Sequence, residues 1–468
     1  MNILKHILFI AVGLTSFCAC LKTEVLFEPD ISTVLRNPYM GWALYAEGHQ
    51  EIDNPDEYWR IQDEPSNYAN VFYVRWRWSD LEPEEGKYAW NENENFKKLI
   101  QGALDRGLRL AFRVCVNSQD QPYPATPQYV LNKSKTYIVE SGLPTPYPDD
   151  EYFLEKYIKF IEAFGNKFND PSKVDYVDSY GLGWWGEEHH VMYFNEKNKW
   201  MCHDRIVRAY EQAFDRVINV INYGLRDIMQ EKVVYDELGF TTRRDGYASI
   251  WFPLEDQMKF VTRFPATPII AEACYWKDVP IDSIEDGRWA SWGDYYRDVV
   301  TLALETHANY LDLRTTVEAP RYLETAKEEV DRFISYGGYR IYPVGIKWKR
   351  DGCLLRLSHA WANAGVGVLP NNNVHLRCKY KVMFALFSKD MDLVRRVVSN
   401  NIEVSGLVGD TVLSADDVVD LSLLPKGKYT LAVGIINTIE NDSKDISIAV
   451  KSAEKIAGEW IKVSEIKI

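Results

Sequence analysis

The residues best equipped for chemistry are gathered in the run from Val174 to His190, which ends on Trp184, Trp185, Glu187, Glu188, His189 and His190. It opens like a strand, with β-branched and aromatic residues alternating with polar ones. If that strand belongs to a (β/α)8 barrel, its C-terminal end opens onto the face where active sites sit, and Glu187 is the first candidate for a catalytic acid. Trp184 and Trp185 would wall it off from water and raise its pKa. Glu188, one residue on, is expected to point outward unless a bulge swaps the two. Two histidines beside two glutamates invite a metal. The spacing is not that of an HExxH site, however, and neighbours on a strand face opposite ways, so no metal is expected.

The elements that must position these residues follow a repeating strand-helix grammar, the pattern of parallel α/β folds. Arg36 to Tyr45 reads as a first strand after a tether, with Trp42 at its inner end, and Val71 to Trp78 as a second. Phe96 to Arg106 has helical spacing with Gly107 as its stop. Leu108 to Asn117 is the third strand, followed by a long Pro- and Tyr-rich loop from Gln119 to Asp150 that is expected to lie over the barrel mouth. Leu154 to Phe168 is a helix that leads into Val174 as strand four. Ile206 to Ile221 reads as a helix, Lys232 to Gly239 as strand five, and the region of Asp245 to Ser249 as strand six. Thr267 to Trp276, which contains Glu272, is strand seven. Tyr295 to Thr306 is a helix, Ala308 to Arg314 strand eight, and Tyr322 to Ser335 the closing helix.

From Gly337 the texture changes to short strands separated by Asn, Gly and Asp turns, the pattern of a β-sandwich. They are Tyr339–Ile346, Cys353–His359, Lys379–Leu386, Lys428–Ile435 and Ile446–Val450. The expected fold is therefore a (β/α)8 TIM barrel over residues 20–336 followed by a smaller all-β sandwich over 337–468. No solenoid repeat, low-complexity tract, P-loop or dinucleotide-binding glycine pattern is present, and no cofactor is expected.

The segment Trp78 to Trp90 resembles the W-x-x-x-E-P-x-x-G-x-Y-x-W loop that follows the second barrel strand in several clan A glycoside hydrolases. Gly183 to His189 and Asn37 to Gly41 are similar to the G-x-W-G-E-x-H and N-P-x-x-G runs of a group of bacterial proteins related to that clan. The resemblance implies two carboxyl groups at the ends of strands four and seven, one to protonate the leaving oxygen and one to attack. By that implication Glu187 is the acid/base and Glu272 the nucleophile of a glycoside hydrolase that acts on oligo- or polysaccharides with retention and needs no metal. The clan carries Asn before its acid/base, where this chain has Gly186. Strand-end arginines, Arg75, Arg77 or Arg314, are expected to keep the second carboxylate ionised. Equally, such arginines could make Glu187 and Glu272 mere salt-bridge partners. Trp76, Trp78, Tyr275 and Trp276 divide between sugar stacking and packing, and Asp236, Glu237 and Asp245 between substrate contact and solvent. Trp42, Asn117, Trp184, Trp185, Glu188 and His189 complete the expected substrate-binding set.

Composition limits the alternatives. A net charge of −14 and a pI near 5.2 leave no excess of Lys or Arg for phosphates, which argues against a nucleic-acid partner. The 15 Trp and 29 Tyr favour a carbohydrate, since these rings stack on sugar faces while keeping a polar handle. Residues 1–19 resemble a lipoprotein signal, basic then apolar, with Ala19 before a Cys20 to be lipidated. The expected location is thus extracytoplasmic, at a membrane surface through a lipid anchor. The other five cysteines fit no CxxC site, and mostly buried free thiols are expected, with a Cys353–Cys378 bridge as the alternative. The rival functional reading is a non-catalytic glycan-binding surface lipoprotein built on a degenerate hydrolase barrel. In a third, the sandwich is the binding module.

Overall fold

The computed structural model describes residues 23–222, 228–275, 279–284, 287–440 and 445–468. The expected signal segment, Cys20 and Trp276 lie outside them. In chain order the strands are β1 (Thr23–Leu26), β2 (Gly41–Ala46), β3 (Ala69–Arg77), β4 (Arg109–Cys115), a short hairpin of β5 (Thr136–Ile138) and β6 (Pro144–Pro146), β7 (Val174–Asp178), β8 (Ile218–Asn222), β9 (Thr241–Tyr247), β10 (Ile269–Ala273) and β11 (Ala308–Asp312). Eight of these, β2, β3, β4, β7, β8, β9, β10 and β11, form a closed parallel barrel. The expected (β/α)8 barrel is present.

Local chemistry starts the helices. Asn93 caps Glu94–Asp105 by accepting from the N–H groups of Asn95 and Phe96, Asp150 caps Glu151–Phe168, and Ser291 caps Trp292–Glu305. Gly107 ends the first of these with φ 70°, a left-handed position that suits glycine.

Each barrel strand is buried on both sides, so it sorts its residues by parity. On β3, Phe72, Val74 and Trp76 join the layer under the helices, while Val71 and Tyr73 join the barrel interior. On β2, Trp42 and Leu44 face the helices, and Ala43 and Tyr45 face inward.

The region between the fourth and sixth barrel strands differs from the sequence reading. The helix runs over Lys199–Ala213 and the fifth barrel strand is Ile218–Asn222, whereas Lys232–Glu237 is a π-helical turn. The β-branched Val233 and Val234 that suggested a strand are buried against the barrel's outer layer by that turn. Residues of high β-propensity report a half-buried position more than a strand.

The C-terminal part holds β12 (Ile341–Asp351), β13 (Leu354–Asn363), β14 (Tyr380–Phe387), β15 (Leu393–Val398), β16 (Leu413–Asp420), β17 (Lys428–Asn437), β18 (Lys455–Ile456) and β19 (Trp460–Lys467). They form two antiparallel sheets, ordered β1-β12-β13-β16 and β15-β14-β17-β19-β18. The segment read as a tether thus includes β1, which pairs antiparallel with β12. Ile446 and Val450 make only isolated bridges. The sandwich core is continuous with the barrel interior, because Tyr39, Tyr339, Leu369, Leu376 and Tyr380 close the N-terminal end of the barrel. The five described cysteines are free; Cys115 and Cys202 are buried, but Cys353 and Cys378 are exposed and unbridged, unlike the mostly buried set expected. Among the described residues no helix is long and apolar enough to cross a membrane.

Candidate active site

A cavity of about 1420 Å³ opens at the C-terminal face of the barrel. Every barrel strand or the loop after it reaches this cavity, in order through Glu47, Arg75, Asp120, Glu187, Glu231, Arg244, Glu272 and Arg314. This is the face where barrel enzymes place their chemistry.

Glu187 and Glu272 meet at its floor, each only 4% exposed. A single nitrogen, Arg75 Nη2, lies 2.9 Å from Glu187 Oε1 and 2.7 Å from Glu272 Oε1. Two oxygens on one nitrogen at those distances are within about 6 Å of each other. Arg113 Nη1 donates to Glu187 Oε1 at 2.5 Å, Arg243 bridges the pair by touching Glu272 Oε2 and standing 3.7 Å from Glu187 Oε1, and Arg314 Nη1 is 3.6 Å from Glu272 Oε1. Arg75 and Arg113 are register partners on β3 and β4, which brings them side by side inside the barrel.

These guanidiniums are themselves positioned. Arg113 Nε donates to Asp178 Oδ2, which also accepts from the Tyr73 hydroxyl, both at 2.6 Å. Arg314 Nη1 donates to Asp312 and to the Ala273 carbonyl. Arg75 lies over the Tyr45 ring and Arg243 over Tyr73.

Glu187 does not behave as the sequence suggested. Burial pushes its carboxyl up, but Arg75, Arg113 and Arg243 outweigh that and hold it well below the usual carboxylate range. Trp184 and Trp185 therefore do not make it an acid; charge decides over desolvation. Glu188 is the opposite case. It borders the cavity, yet both carboxyl oxygens are enclosed without a hydrogen-bond partner of good geometry, and burial drives its pKa well up, offset only in part by Arg113, Lys199 and the Asn222 N–H.

Strand alternation fails for this pair because the strand ends at Asp178 and the residues sit in a tight loop. Trp184 N–H donates to the His189 carbonyl at 2.8 Å, Glu188 N–H to Leu182 at 2.9 Å, and the Asn222 amide to the Glu187 carbonyl at 3.2 Å. Trp185, Glu188 and His190 all have positive φ, a conformation costly for non-glycine residues and found where surrounding contacts over-determine it. Gly186 has φ 74°, and a Cβ there would come within 3.1 Å of Arg113 Cδ. Glycine at 186 thus lets the loop close onto Arg113.

Of the expected substrate-binding residues, Arg75, Trp184, Trp185, Glu188, His189 and Arg314 border the cavity. Trp184 stacks on His190 with centroids 4.0 Å apart, forming an aromatic wall. The other described ones are placed elsewhere. Trp42 and Trp76 face the helices, Trp42 donating to the Val330 carbonyl; Trp78 is buried and donates to Glu82. Parity excludes Trp76, since its neighbour Arg75 takes the inward direction. Asn117 is buried and pins the following loop by donating to Tyr137 OH. Asp236 and Glu237 are exposed on the π-helical turn, Glu237 pairing with Arg208 at 3.3 Å. Tyr275 packs on Trp289 and Tyr295. Arg77 turns to Asp80 and Tyr123, away from Glu272. The long loop reaches the cavity through Asp120.

Sequence reasoning missed Arg113, Arg243, Arg244 and Trp251. The available signal was an arginine inside an otherwise apolar strand, which survives burial only with a charged partner. Among the described residues, ligand-type atoms of Glu187, His189 and Asp245 lie within 4.8 Å of one another. A cation there would stand against Arg75, Arg113 and Arg243 around Glu187, so the grouping does not fit a metal site.

No protein-family model matches the chain, and no curated protein matches it. Solved structures that align with it include endo-glycoceramidase II from Rhodococcus sp., 11% identical over 85% of this chain and 99% of that one, with a TM-score of 0.42. Endo-β-1,4-mannanase from Thermotoga petrophila is 11% identical over 88% of this chain and 97% of that one, TM-score 0.41. An exo-β-1,4-mannosidase from Opitutaceae bacterium strain TAV5 is 14% identical over 64% of this chain and 55% of that one, TM-score 0.39. Likenesses at this level say nothing of what this chain does.

Proposed function

We propose that the protein is a retaining glycoside hydrolase, with Glu272 as nucleophile and Glu187 facing it. The observation that carries this reading is the shared contact with Arg75 Nη2, which sets the two carboxylate oxygens within about 6 Å. Retaining enzymes hold their carboxyl groups roughly 5 to 5.5 Å apart, whereas inverting ones leave roughly 6.5 to 9.5 Å for a water. Arg75, Arg243 and Arg314 keep Glu272 ionised for attack, and the aromatic wall of Trp184 and His190 offers a stacking face for a sugar ring. The lipoprotein-like pattern of residues 1–19 supports a location outside the cytoplasm, on a lipid carried by Cys20.

The test is hydrolysis of a panel of activated aryl glycosides, with the first-formed anomer read by proton NMR. Retained configuration is expected, and inverted product would overturn the assignment of Glu272 as nucleophile. One observation favours the second reading, a glycan-binding protein without turnover: both carboxylates are engaged by the same arginines, which a substrate would have to displace. Glycan binding that survives both Glu272→Gln and Glu187→Gln, with no hydrolysis by the parent protein, would select it.

A further inference from the structure

We propose that His189 is the proton donor to the leaving oxygen, with Glu187 as the positioning residue that holds its imidazole; this rests on the hydrolase reading. Glycosidic cleavage requires a protonated group beside the leaving oxygen. Glu187 Oε1 is occupied by two guanidinium donors, Arg113 at 2.5 Å and Arg75 at 2.9 Å. Guanidinium only donates, so an oxygen accepting from two of them carries no proton. The other oxygen, Oε2, has His189 Nε2 at 3.8 Å.

The imidazole is grouped with two carboxylates, the ligand-type atoms of Glu187, His189 and Asp245 lying mutually within 4.8 Å. Arg244 pairs with Asp245 at 2.5 Å and offsets part of that anion, and the Trp185 ring is the aromatic neighbour, edge-on at 6.3 Å. His189 borders the cavity with its side chain 39% exposed, so a leaving group can reach it. Glu188 cannot serve, because both its carboxyl oxygens are enclosed. The 3.8 Å separation is long for a hydrogen bond, as catalytic contacts often are before substrate arrives.

In the first step Glu272 bonds to the anomeric carbon, the bond to the leaving oxygen breaks with its electron pair, and that oxygen takes the His189 proton. In the second, water loses a proton to the now neutral imidazole and attacks the anomeric carbon, and the bond to Glu272 breaks to restore its carboxylate. Glu187 remains ionised throughout, as a carboxylate does beside a catalytic histidine.

The experiment compares kcat/KM for an alkyl glycoside, which needs protonation, with that for a 2,4-dinitrophenyl glycoside, which does not. For His189→Gln the loss on the alkyl glycoside is expected to exceed that on the dinitrophenyl glycoside by at least about a hundredfold. His189→Ala with azide is expected to release glycosyl azide, the signature of a missing base in the second step. Glu187→Gln is expected to show a smaller leaving-group gap of the same sign, and Glu187→Asp to recover part of it, as a positioning role requires. Equal losses on both substrates for His189→Gln, or the leaving-group gap appearing in Glu187→Gln alone, would overturn the proposal. A parent protein that hydrolyses no dinitrophenyl glycoside defeats the hydrolase reading itself, and this one with it.

Discussion

Two arginine-carboxylate clusters lie inside one barrel, and they are satisfied to different degrees. At the closed N-terminal end, Asp175 accepts from Arg109 Nε, from the Tyr39 N–H at 3.0 Å and from Tyr310 OH at 2.6 Å. The remaining Arg109 donors go to the carbonyls of Ser172, Pro171 and Val174. At the open end, Glu187 and Glu272 share Arg75 and Arg243, and Arg75 Nε and Arg243 Nη1 find no hydrogen-bond acceptor. A complete set of bonds marks a structural pair, whose removal unbalances a buried charge. An incomplete set beside a cavity is a cost that the fold does not need for stability, and buried unsatisfied groups of this kind call for a functional explanation.

The comparison breaks if the open cluster proves structural. Glu272→Gln is expected to lower kcat on aryl glycosides at least about a thousandfold with little change in melting temperature. An intact kcat would make Glu272 a mere salt-bridge partner. Asp175→Asn is expected to show the reverse, a loss of about 3–5 kcal/mol of stability in denaturant titration, with the specific activity of the folded fraction retained. Arg243→Gln, at the open end, should cost about a hundredfold in kcat/KM, through lost support of Glu272.

Smaller effects sharpen the picture within the loop. The folded protein keeps Glu188 protonated above the pH where the unfolded chain ionises it, so Glu188 lowers stability as pH rises through the unfolded value near 4.3 and beyond. Glu188→Gln is therefore expected to stabilise by about 1 kcal/mol at pH 8 and by much less at pH 4, read as a pH-dependent shift in melting temperature. Glu187 has the opposite sign: its depressed pKa gives stability above the unfolded value that disappears as pH falls below it. Gly186→Ala is expected to cost about 1 kcal/mol, from its left-handed φ and the approach to Arg113.

Much of the barrel was legible in the chain. The caps at Asn93, Asp150 and Ser291, the stop at Gly107 and the apolar strands around Arg75, Tyr176 and Glu272 are local signals, fixed by propensity and hydrogen bonding within a few residues. They sufficed to put Glu187 and Glu272 at the ends of the fourth and seventh barrel strands. They failed between Lys199 and Tyr247, where Val233 and Val234 imitate a strand and Ile218–Asn222 was absorbed into a helical pattern.

Tertiary structure alone decided the protonation of the two adjacent glutamates. Nothing in the sequence separates Glu187 from Glu188. The fold surrounds one with Arg75, Arg113 and Arg243, drawn from three different strands, and encloses the other near Tyr180, Tyr193, Tyr235 and Asp178, where Arg113 and Lys199 offset its burial only in part. The sequence determines which side chains can titrate and roughly where the strands end. The pKa values depend on charges and burial that exist only once the barrel has closed, because Coulomb and desolvation effects act through space over a few ångströms and are blind to sequence separation.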